Sequence, residues 1–191
     1  SDMFNMAMFV RNADIMAKDY KATYGKELVL SPDCPTAGHE FIKRLVKNDI
    51  IYEKGGNDAI EGVGAKGQKT PPLGIISPSK MRVAAETGLA VDIAWDVTPF
   101  STFFNKTAVA IPARAPHPNA AKLFIKYFYG DEKGGLGFKP YHTVGNWSVR
   151  KDVPQPDDQK PFQEITGWSE DGDWLYQNVL IFRDFWIKNL P

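Results

Sequence analysis

Small polar residues stand at two places where a helix is expected to begin directly after an apolar stretch. Thr36, Ala37 and Gly38 lie in the segment PTAGHE, and Ser77 and Ser79 lie in SPSK. The first turn of a helix carries backbone N–H groups without intrahelical partners, and in open α/β sheets such turns face the crevice at the carboxyl ends of the strands. The pattern therefore predicts contacts from these residues to a polar or anionic group.

A plainer interpretation stays open for the same residues. Thr36 and Ser77 can act as helix caps alone, and caps without ligands are the more common case. Gly38 favours the binding interpretation slightly, because a missing side chain lets a ligand approach the backbone.

The segment WDVTPFSTFFN combines Trp95 and Asp96 with three phenylalanines. An aromatic wall beside a carboxylate suits a small organic solute, especially one with an amine or several hydroxyls. The alternative is a hydrophobic crossover whose aromatic rings fill the core.

Catalytic and metal chemistry have weaker support. Cys34 and His39 are close in sequence, but a nucleophile also needs an oriented base and an oxyanion site, which spacing does not provide. His39, His117 and His142 do not have the spacing of metal ligands. The glycines of GVGAKG lack the preceding strand and the Lys-Ser/Thr pair of a phosphate loop. We expect no catalytic residue, no metal and no cofactor.

The composition excludes further classes of function. The chain has 191 residues, with 23 basic and 23 acidic side chains. This balance and the scattered basic residues argue against a nucleic-acid partner. One cysteine excludes an internal disulfide.

The elements that must position these residues follow from the periodicity. Apolar residues at helical spacing predict one helix from Met6 to Tyr24, closed by Gly25. Further helices are predicted after Thr36, from Pro78 to a stop at Gly88, and from Pro118 and Asn119 to Gly130. A single helical turn is predicted over residues 59–63. A final helix follows EDGD, with Leu175, Val179, Phe182 and Trp186 on one stripe. The predicted strands are residues 28–30, 73–76, 89–95 and 107–111.

This order predicts an α/β fold, with a mainly parallel mixed sheet flanked by helices. We expect residues 1–130 to form the α/β lobe. Residues 131–191 would form an irregular, aromatic-pinned connection and a C-terminal helix packed on the same domain. In the segment AVAIPARAPHPNAAKLFIKYFYG, Pro112 would end a strand, and Ala120, Phe124, Tyr127 and Phe128 would form the packed face of the next helix.

That segment, with its AxHPNAAKLF motif, resembles the extracellular solute-binding proteins of ABC importers, of the type II iron/polyamine-like group. GQKTPPLGIISPSKMR, LAVDIAWDVTPF and TAGHEFIKRLVKND follow the family's pattern more generally, so the similarity covers about residues 28–152. The resemblance implies a periplasmic-binding-protein-like lobe that, with a second lobe, closes on a solute and delivers it to a membrane permease.

The resemblance also implies partners and a location. The N-terminus SDMFNMAMF lacks the features of a secretory signal, and we expect a truncated chain that is the C-terminal lobe, without the N-terminal lobe. The location would be periplasmic or extracellular, and a membrane-anchored lipoprotein fits the same expectation. Ferric-ion members of the family use adjacent tyrosines, which this sequence lacks, so a small organic solute or anion is favoured over iron. Thr36, Gly38, Ser77, Trp95 and Asp96 would line the cleft.

Overall fold

A computed structural model describes residues 2–104, 108–130 and 135–190. The fold is mixed and helix-rich, with a small parallel sheet. The helices are α1 (Asp2–Arg11), α2 (Ala13–Tyr24), α3 (Ala37–Val46), α4 (Gly56–Gly64), α5 (Met81–Thr87), α6 (Pro118–Phe128) and α7 (Gly172–Asn189), and the strands are β1 (Thr102–Phe104) and β2 (Gly167–Ser169). Short 3₁₀ helices cover Pro78–Lys80, Lys139–Tyr141 and Phe162–Glu164.

The chain divides into two compact units built from interleaved segments. The first unit contains Ser1–Tyr52, Ala94–Lys106 and Ile165–Pro191, and the second contains Glu53–Ile93 and Thr107–Glu164. The predicted boundary at residue 130 is a different division of the chain, and it stays a prediction.

In the first unit, helices α1, α3 and α7 pack around one apolar core. Met8, Ile42 and Phe182 are its largest fully buried side chains. Leu175 is also buried, and Val179 and Trp186 pack against the same cluster. The stripe predicted for the C-terminal helix is therefore confirmed, because residues spaced by three and four along α7 point to one side.

The sheet of the first unit joins segments that are distant in sequence. β1 and β2 are parallel, with Thr102 opposite Gly167 and Phe104 opposite Ser169. Within the described residues, the predicted strands at 28–30, 73–76, 89–95 and 108–111 are not part of any sheet, and residue 107 lies outside them. The strand predictions are wrong there because an alternating apolar pattern favours extended backbone, whereas a strand also needs a hydrogen-bonded neighbour.

The predicted long N-terminal helix is interrupted at Asn12. The Asn12 side-chain amide donates to the Met8 carbonyl oxygen at 2.9 Å, and its own N–H donates to the same oxygen at 3.0 Å. Asn12 has φ −105° and ψ 26°, outside helical geometry, and α2 begins at Ala13. A local side chain-to-backbone hydrogen bond thus accompanies the interruption, at a residue type that favours such bonds over the helix interior. Gly25 ends α2 at φ 67°, as the sequence predicts.

In the second unit, α4 and α5 pack together and bury Ile60 and Ala84. The predicted turn at 59–63 is a longer helix, α4. Pro78 begins a 3₁₀ helix that leads into α5, and Gly88 ends α5 in the left-handed conformation at φ 67°. The predicted start at Pro78 and stop at Gly88 are confirmed, whereas the cap predicted at Ser77 is not formed.

Helix α6 begins at Pro118 and is followed by Gly130 at φ 74°, so its predicted ends are confirmed. Asn119 lies inside the helix and does not cap it. The predicted packed face is wrong: Phe124 is 61% exposed and Tyr127 55% exposed. The half-buried face consists of Ala121, Ile125 and Phe128. The apolar residues of α6 span a broad arc opposite Asn119, Lys122 and Lys126, so periodicity alone does not fix which part of that arc is covered.

Much of the predicted irregular connection is irregular, although residues 131–134 lie outside the described part. Trp147 donates its indole N–H to the Lys160 carbonyl oxygen at 2.9 Å, and its ring centroid lies 6.3 Å from that of Phe162.

Across residues 2–104, 108–130 and 135–190, no helix is long and apolar enough to cross a lipid bilayer.

Candidate functional site

The start of α3 holds the first group of predicted site residues. Thr36 is the N-cap, and its hydroxyl oxygen lies 3.5 Å from the His39 backbone nitrogen and 2.9 Å from His39 Nδ1. The His39 ring meets the Phe185 ring edge to face, with centroids 4.7 Å apart. Burial lowers the pKa of His39. Because the neutral ring can accept at Nδ1, the Thr36 hydroxyl can donate to it while accepting the backbone N–H. The capping role predicted for Thr36 is therefore confirmed.

Ala37 and Gly38 are buried where α3 crosses α1. A Cβ placed on Gly38 would overlap the Phe9 carbonyl group and stand 2.5 Å from Val10 Cα. The missing side chain of Gly38 is thus used by the backbone of α1. The sequence predicted that a ligand could use this space, whereas the contacts show that Gly38 allows close packing of two helices.

A buried carboxylate organises the loop that leads into α3. Glu40 is 3% exposed. Its carboxylate accepts one hydrogen bond from the Ser31 backbone N–H at 2.7 Å and another from Arg44 Nε at 2.6 Å. The hydrogen bond from the Ser31 backbone is the main cause that lowers the pKa of Glu40 to about 2. The hydrogen bond from Arg44 lowers it further, whereas burial acts in the opposite direction. The carboxylate stays charged at neutral pH and ties the loop to the helix. The spacing of Glu40 and Arg44 could have indicated this pair, but not the contact with Ser31.

Cys34 lies beside this carboxylate and is buried. Burial, and then the neighbouring Glu40 carboxylate, raise the pKa of Cys34 to about 11. Its thiol is consequently protonated at neutral pH, which is the opposite of the activated thiolate that a nucleophilic cysteine needs.

Ser77 and Ser79 belong to the second unit, where their hydroxyl oxygens are 2.9 Å apart. Ser77 is exposed and its side chain makes no capping hydrogen bond, so its predicted capping role is wrong. A 3₁₀ turn follows directly, and the Ser77 hydroxyl lies beside that of Ser79 instead. Nearby, Lys80 Nζ donates to Asn57 Oδ1 at 2.7 Å. The two hydroxyls can donate to and accept from a polar solute.

A glycine loop packs behind the Ser77–Ser79 segment. Gly145 has φ 90°, and a Cβ on it would overlap the Pro78 carbonyl and stand 2.8 Å from the Ser79 nitrogen. Its N–H donates to Gln159 Oε1 at 2.7 Å, and Gln159 Nε2 donates to the Asn146 carbonyl oxygen at 2.8 Å. Gln159 is 8% exposed, so these bonds satisfy a buried amide. The hydrogen bonds between Gln159 and this loop could not be predicted from the sequence, because no local pattern indicates them.

Trp95 and Asp96 lie in a turn of the first unit, with Trp95 half-buried and Asp96 exposed. The phenylalanines that follow pack into the core: the Phe100 ring stacks on Trp168 at 3.8 Å, and the Phe103 ring meets Phe9 at 5.6 Å. The core-filling interpretation therefore applies to Phe100 and Phe103.

The predicted site residues are thus divided between the two units. The first unit holds Thr36, Ala37, Gly38, Trp95 and Asp96, and the second holds Ser77 and Ser79. Their role as ligand contacts stays a prediction. Among the side chains that the structure describes, no group of three or more His, Cys, Asp or Glu residues is placed to hold a metal ion.

Comparisons of the chain with family models, with curated proteins and with solved structures return no match.

Proposed function

We propose that the chain is a non-catalytic solute-binding module, part of the component of an ABC importer that captures a small organic solute or anion. The observation that carries the proposal is the motif HPNAAKLF together with the position of α6, which begins at Pro118 within that motif. The family resemblance implies a strand that leads through this motif into a helix; the helix is present, whereas residues 108–111 belong to no sheet of the described residues.

The candidate contacts have chemistry suited to a polar solute. The Ser77 and Ser79 hydroxyls lie 2.9 Å apart, and Lys80 is the next residue. Hydroxyls and an ammonium group can bind carboxylate or other oxyanion groups reversibly, without a covalent step. Considered separately, Trp95 and Asp96 of the first unit offer an aromatic surface and a carboxylate, which suit an amine.

The state of Cys34 supports a binding role over a cysteine hydrolase or transferase. A thiol with a pKa of about 11 is a weak nucleophile at neutral pH. His39 Nδ1 is hydrogen-bonded to Thr36 and its ring packs on Phe185, so the imidazole has structural partners.

As a solute-binding module, the protein would act outside the cytoplasm, in the periplasm or on the cell surface, where a lipid-anchored form is one arrangement. It would pair with a membrane permease and with an N-terminal lobe of the same protein. Closure of two lobes on a solute would produce the form that a permease recognises.

The test is a thermal-shift screen against amino acids, polyamines, sugars and oxyanions, on this chain and on the longest product of its gene. A ligand that binds only the folded state raises the midpoint of unfolding, by an amount that grows with ligand concentration. We expect a shift from one chemical class, reduced by the double variant Ser77→Ala/Ser79→Ala if the second unit contributes. The absence of a shift with every class and both proteins would refute the proposal.

A second candidate, a stand-alone interaction domain, is favoured by one observation. The outer side of α7 exposes Tyr176, Leu180 and Ile187, with exposed fractions of 89%, 61% and 58%. Residues at this spacing share one helix face, and exposed apolar patches often mark interaction surfaces. Size-exclusion chromatography distinguishes the two: a strictly monomeric chain that responds to a solute favours the importer component.

A further inference from the structure

The start of α7 contains a pair of residues that is chemically unstable in flexible chains. Asp171 is followed by Gly172, and the sequence contains no other Asp-Gly pair and no Asn-Gly pair. A glycine after an aspartate leaves its backbone nitrogen without a side chain to shield it, so this nitrogen can reach the carboxyl carbon of the aspartate. The pair therefore has the chemistry of spontaneous isomerisation to isoaspartate, a covalent modification of the backbone.

The backbone nitrogen of Gly172 is open in the folded chain. Gly172 is exposed, and a Cβ built on it would have no atom within 4 Å. It is the first residue of α7, where a backbone N–H has no partner within the helix. Among the hydrogen bonds between described residues, none uses this N–H. The conformation of Asp171, and not a covering group, thus restricts the reaction.

Asp171 is held by a hydrogen bond at each of its three oxygen atoms. Oδ1 accepts the Trp174 backbone N–H at 3.0 Å as the cap of α7, and Oδ2 accepts Arg11 Nε at 3.0 Å. The carbonyl oxygen accepts the Leu175 N–H at 2.9 Å. Turning the carboxyl carbon toward the Gly172 nitrogen would break the two side-chain bonds, because both depend on the present direction of the side chain.

The same contacts keep the carboxyl group ionised. The Trp174 N–H, and then Arg11, lower the pKa of Asp171. An ionised carboxylate resists attack by a backbone nitrogen, because an oxide would have to leave in place of a water molecule. The Arg11 side chain is 44% exposed and that of Asp171 37% exposed. Solvent weakens an ion pair of this kind, so the restraint on the carboxylate is reversible.

We propose that the pair of Asp171 and Gly172 is a site at which this chain modifies itself, and that the contacts of Asp171 with Arg11 and the Trp174 N–H restrain the reaction in the folded state. The Gly172 nitrogen would form a bond to Cγ of Asp171 and lose its proton, and one carboxyl oxygen would leave as water. A water molecule would then open the succinimide ring at the former main-chain carbonyl. The chain would continue through Cγ with one added methylene, and no atom would be gained or lost overall.

Isomerisation would release the start of α7 from α1. The lengthened backbone would move the carboxylate away from the Trp174 N–H and from Arg11, so the helix would lose its cap and its ion pair with α1. Trp174 packs against the core of the first unit, and Leu175 is buried in it. The modification would therefore loosen the first turn of α7. This consequence concerns the first unit and does not depend on the proposed solute site.

The test follows isoaspartate at residue 171 by enzymatic methylation and by fragmentation mass spectrometry, during incubation at physiological temperature and near-neutral pH. A synthetic peptide of residues 166–178 lacks Arg11 and a fixed helix start, and should isomerise about tenfold or more faster than the folded chain. Arg11→Gln should raise the rate in the folded chain about threefold. Gly172→Ala should lower the rate about tenfold or more in the peptide and in both proteins, because a methyl group shields the nitrogen.

Arg183→Gln is the matched control, because Arg183 forms an exposed pair with Asp184 on the same helix. It should leave the rate at residue 171 unchanged. Circular dichroism establishes whether Arg11→Gln is folded. If it is not, added salt takes its place, because salt screens exposed pairs and should raise the rate in the original chain.

Each result decides one part of the proposal. No isoaspartate at residue 171 of the peptide would remove the site. A folded chain that reacts as fast as the peptide would remove the restraint, and so would equal rates in Arg11→Gln and the original chain. Hydrogen exchange at Trp174 and Leu175 should be about threefold or more faster in the modified fraction. Unchanged exchange there would contradict the release of α7.

Discussion

Gly38 of α3 lies directly against the Phe9 carbonyl of α1. A Cβ on Gly38 would overlap that carbonyl group and would also stand 2.5 Å from Val10 Cα. The two helices share the core of the first unit, in which Phe9 is 5% exposed and Ile42 fully buried. The absence of a side chain at Gly38 thus sets how closely the backbones of α1 and α3 approach. This contact lies beside the Thr36 cap, where the sequence predicted a ligand.

Gly38→Ala should destabilise the chain, because the added methyl forces α1 and α3 apart. We expect the free energy of unfolding to fall by about 1–3 kcal/mol, as for other overpacked positions. Urea denaturation followed by circular dichroism measures the change. Gly62→Ala is the matched control: it lies inside α4, its nearest atom would be Glu53 Oε1 at 3.9 Å, and it should be neutral or stabilise by up to about 1 kcal/mol. Equal effects of the two changes would contradict this role of Gly38.

Glu40 should make stability depend on pH in the acid range. Its folded pKa of about 2 lies below the ordinary value of 4.5, so its contribution is fully present above about pH 4.5 and is lost as pH falls toward 2. Glu40→Gln should lower the free energy of unfolding at neutral pH by about 1–3 kcal/mol and flatten its acid dependence. Unfolding by urea at several pH values between neutral and about 3 measures both effects.

The control for Glu40 is Glu86→Gln. Glu86 forms an i,i+4 pair with Arg82, but both side chains are more than half exposed. Exposed pairs of this type contribute about 0.3–0.5 kcal/mol. If Glu40→Gln had as small an effect as Glu86→Gln, the buried carboxylate would not hold the loop before α3.

Cys34 should react slowly with alkylating reagents in the folded chain. A rise of its pKa from an ordinary value of 9.0 to about 11 lowers the thiolate fraction about a hundredfold at neutral pH, and burial restricts access further. The rate of iodoacetamide modification, followed by mass spectrometry, should therefore rise about a hundredfold or more when urea unfolds the chain. Rapid modification of the folded chain near pH 7 would revive the cysteine-enzyme hypothesis.

Gln159→Ala should loosen the loop behind Ser77 and Ser79. The change leaves the buried Gly145 N–H without the acceptor that it contacts at 2.7 Å, and an unsatisfied buried group costs about 1–3 kcal/mol. Hydrogen exchange should show faster exchange at Gly145. Gln163→Ala is the control, because Gln163 is exposed in the same unit. Unchanged exchange at Gly145 would show that Gln159 is dispensable for the loop.

The ends of several helices could be predicted from sequence because they depend on single residues. Gly25 and Gly88 adopt left-handed conformations, Pro118 opens α6, and Thr36 caps α3. Each effect acts within one turn of backbone, so the neighbouring residues contain the information. The core stripe of α7 was predictable for the same reason, since spacing along one helix fixes which residues share a face.

The contacts between distant segments were not predictable in this way. β1 pairs with β2 from a far part of the chain, while the more strand-like run at residues 73–76 has no strand partner among the residues that the structure describes. Gly38 was predicted to leave room for a ligand, yet α1 occupies that room. The pairing of Glu40 with Ser31 and of Gly145 with Gln159 likewise needed the path of the chain.

The sequence by itself therefore determined local features of this protein: the Thr36 cap, the glycine stops and the apolar stripe of its last helix. Only the tertiary structure decided which extended segments pair, which helix face is covered and which small residue accommodates a neighbouring backbone. The physical reason is the distance along the sequence between the groups that interact. Capping and periodicity depend on residues within a few positions of one another, whereas sheet pairing and close packing depend on groups that folding brings together from distant parts of the chain.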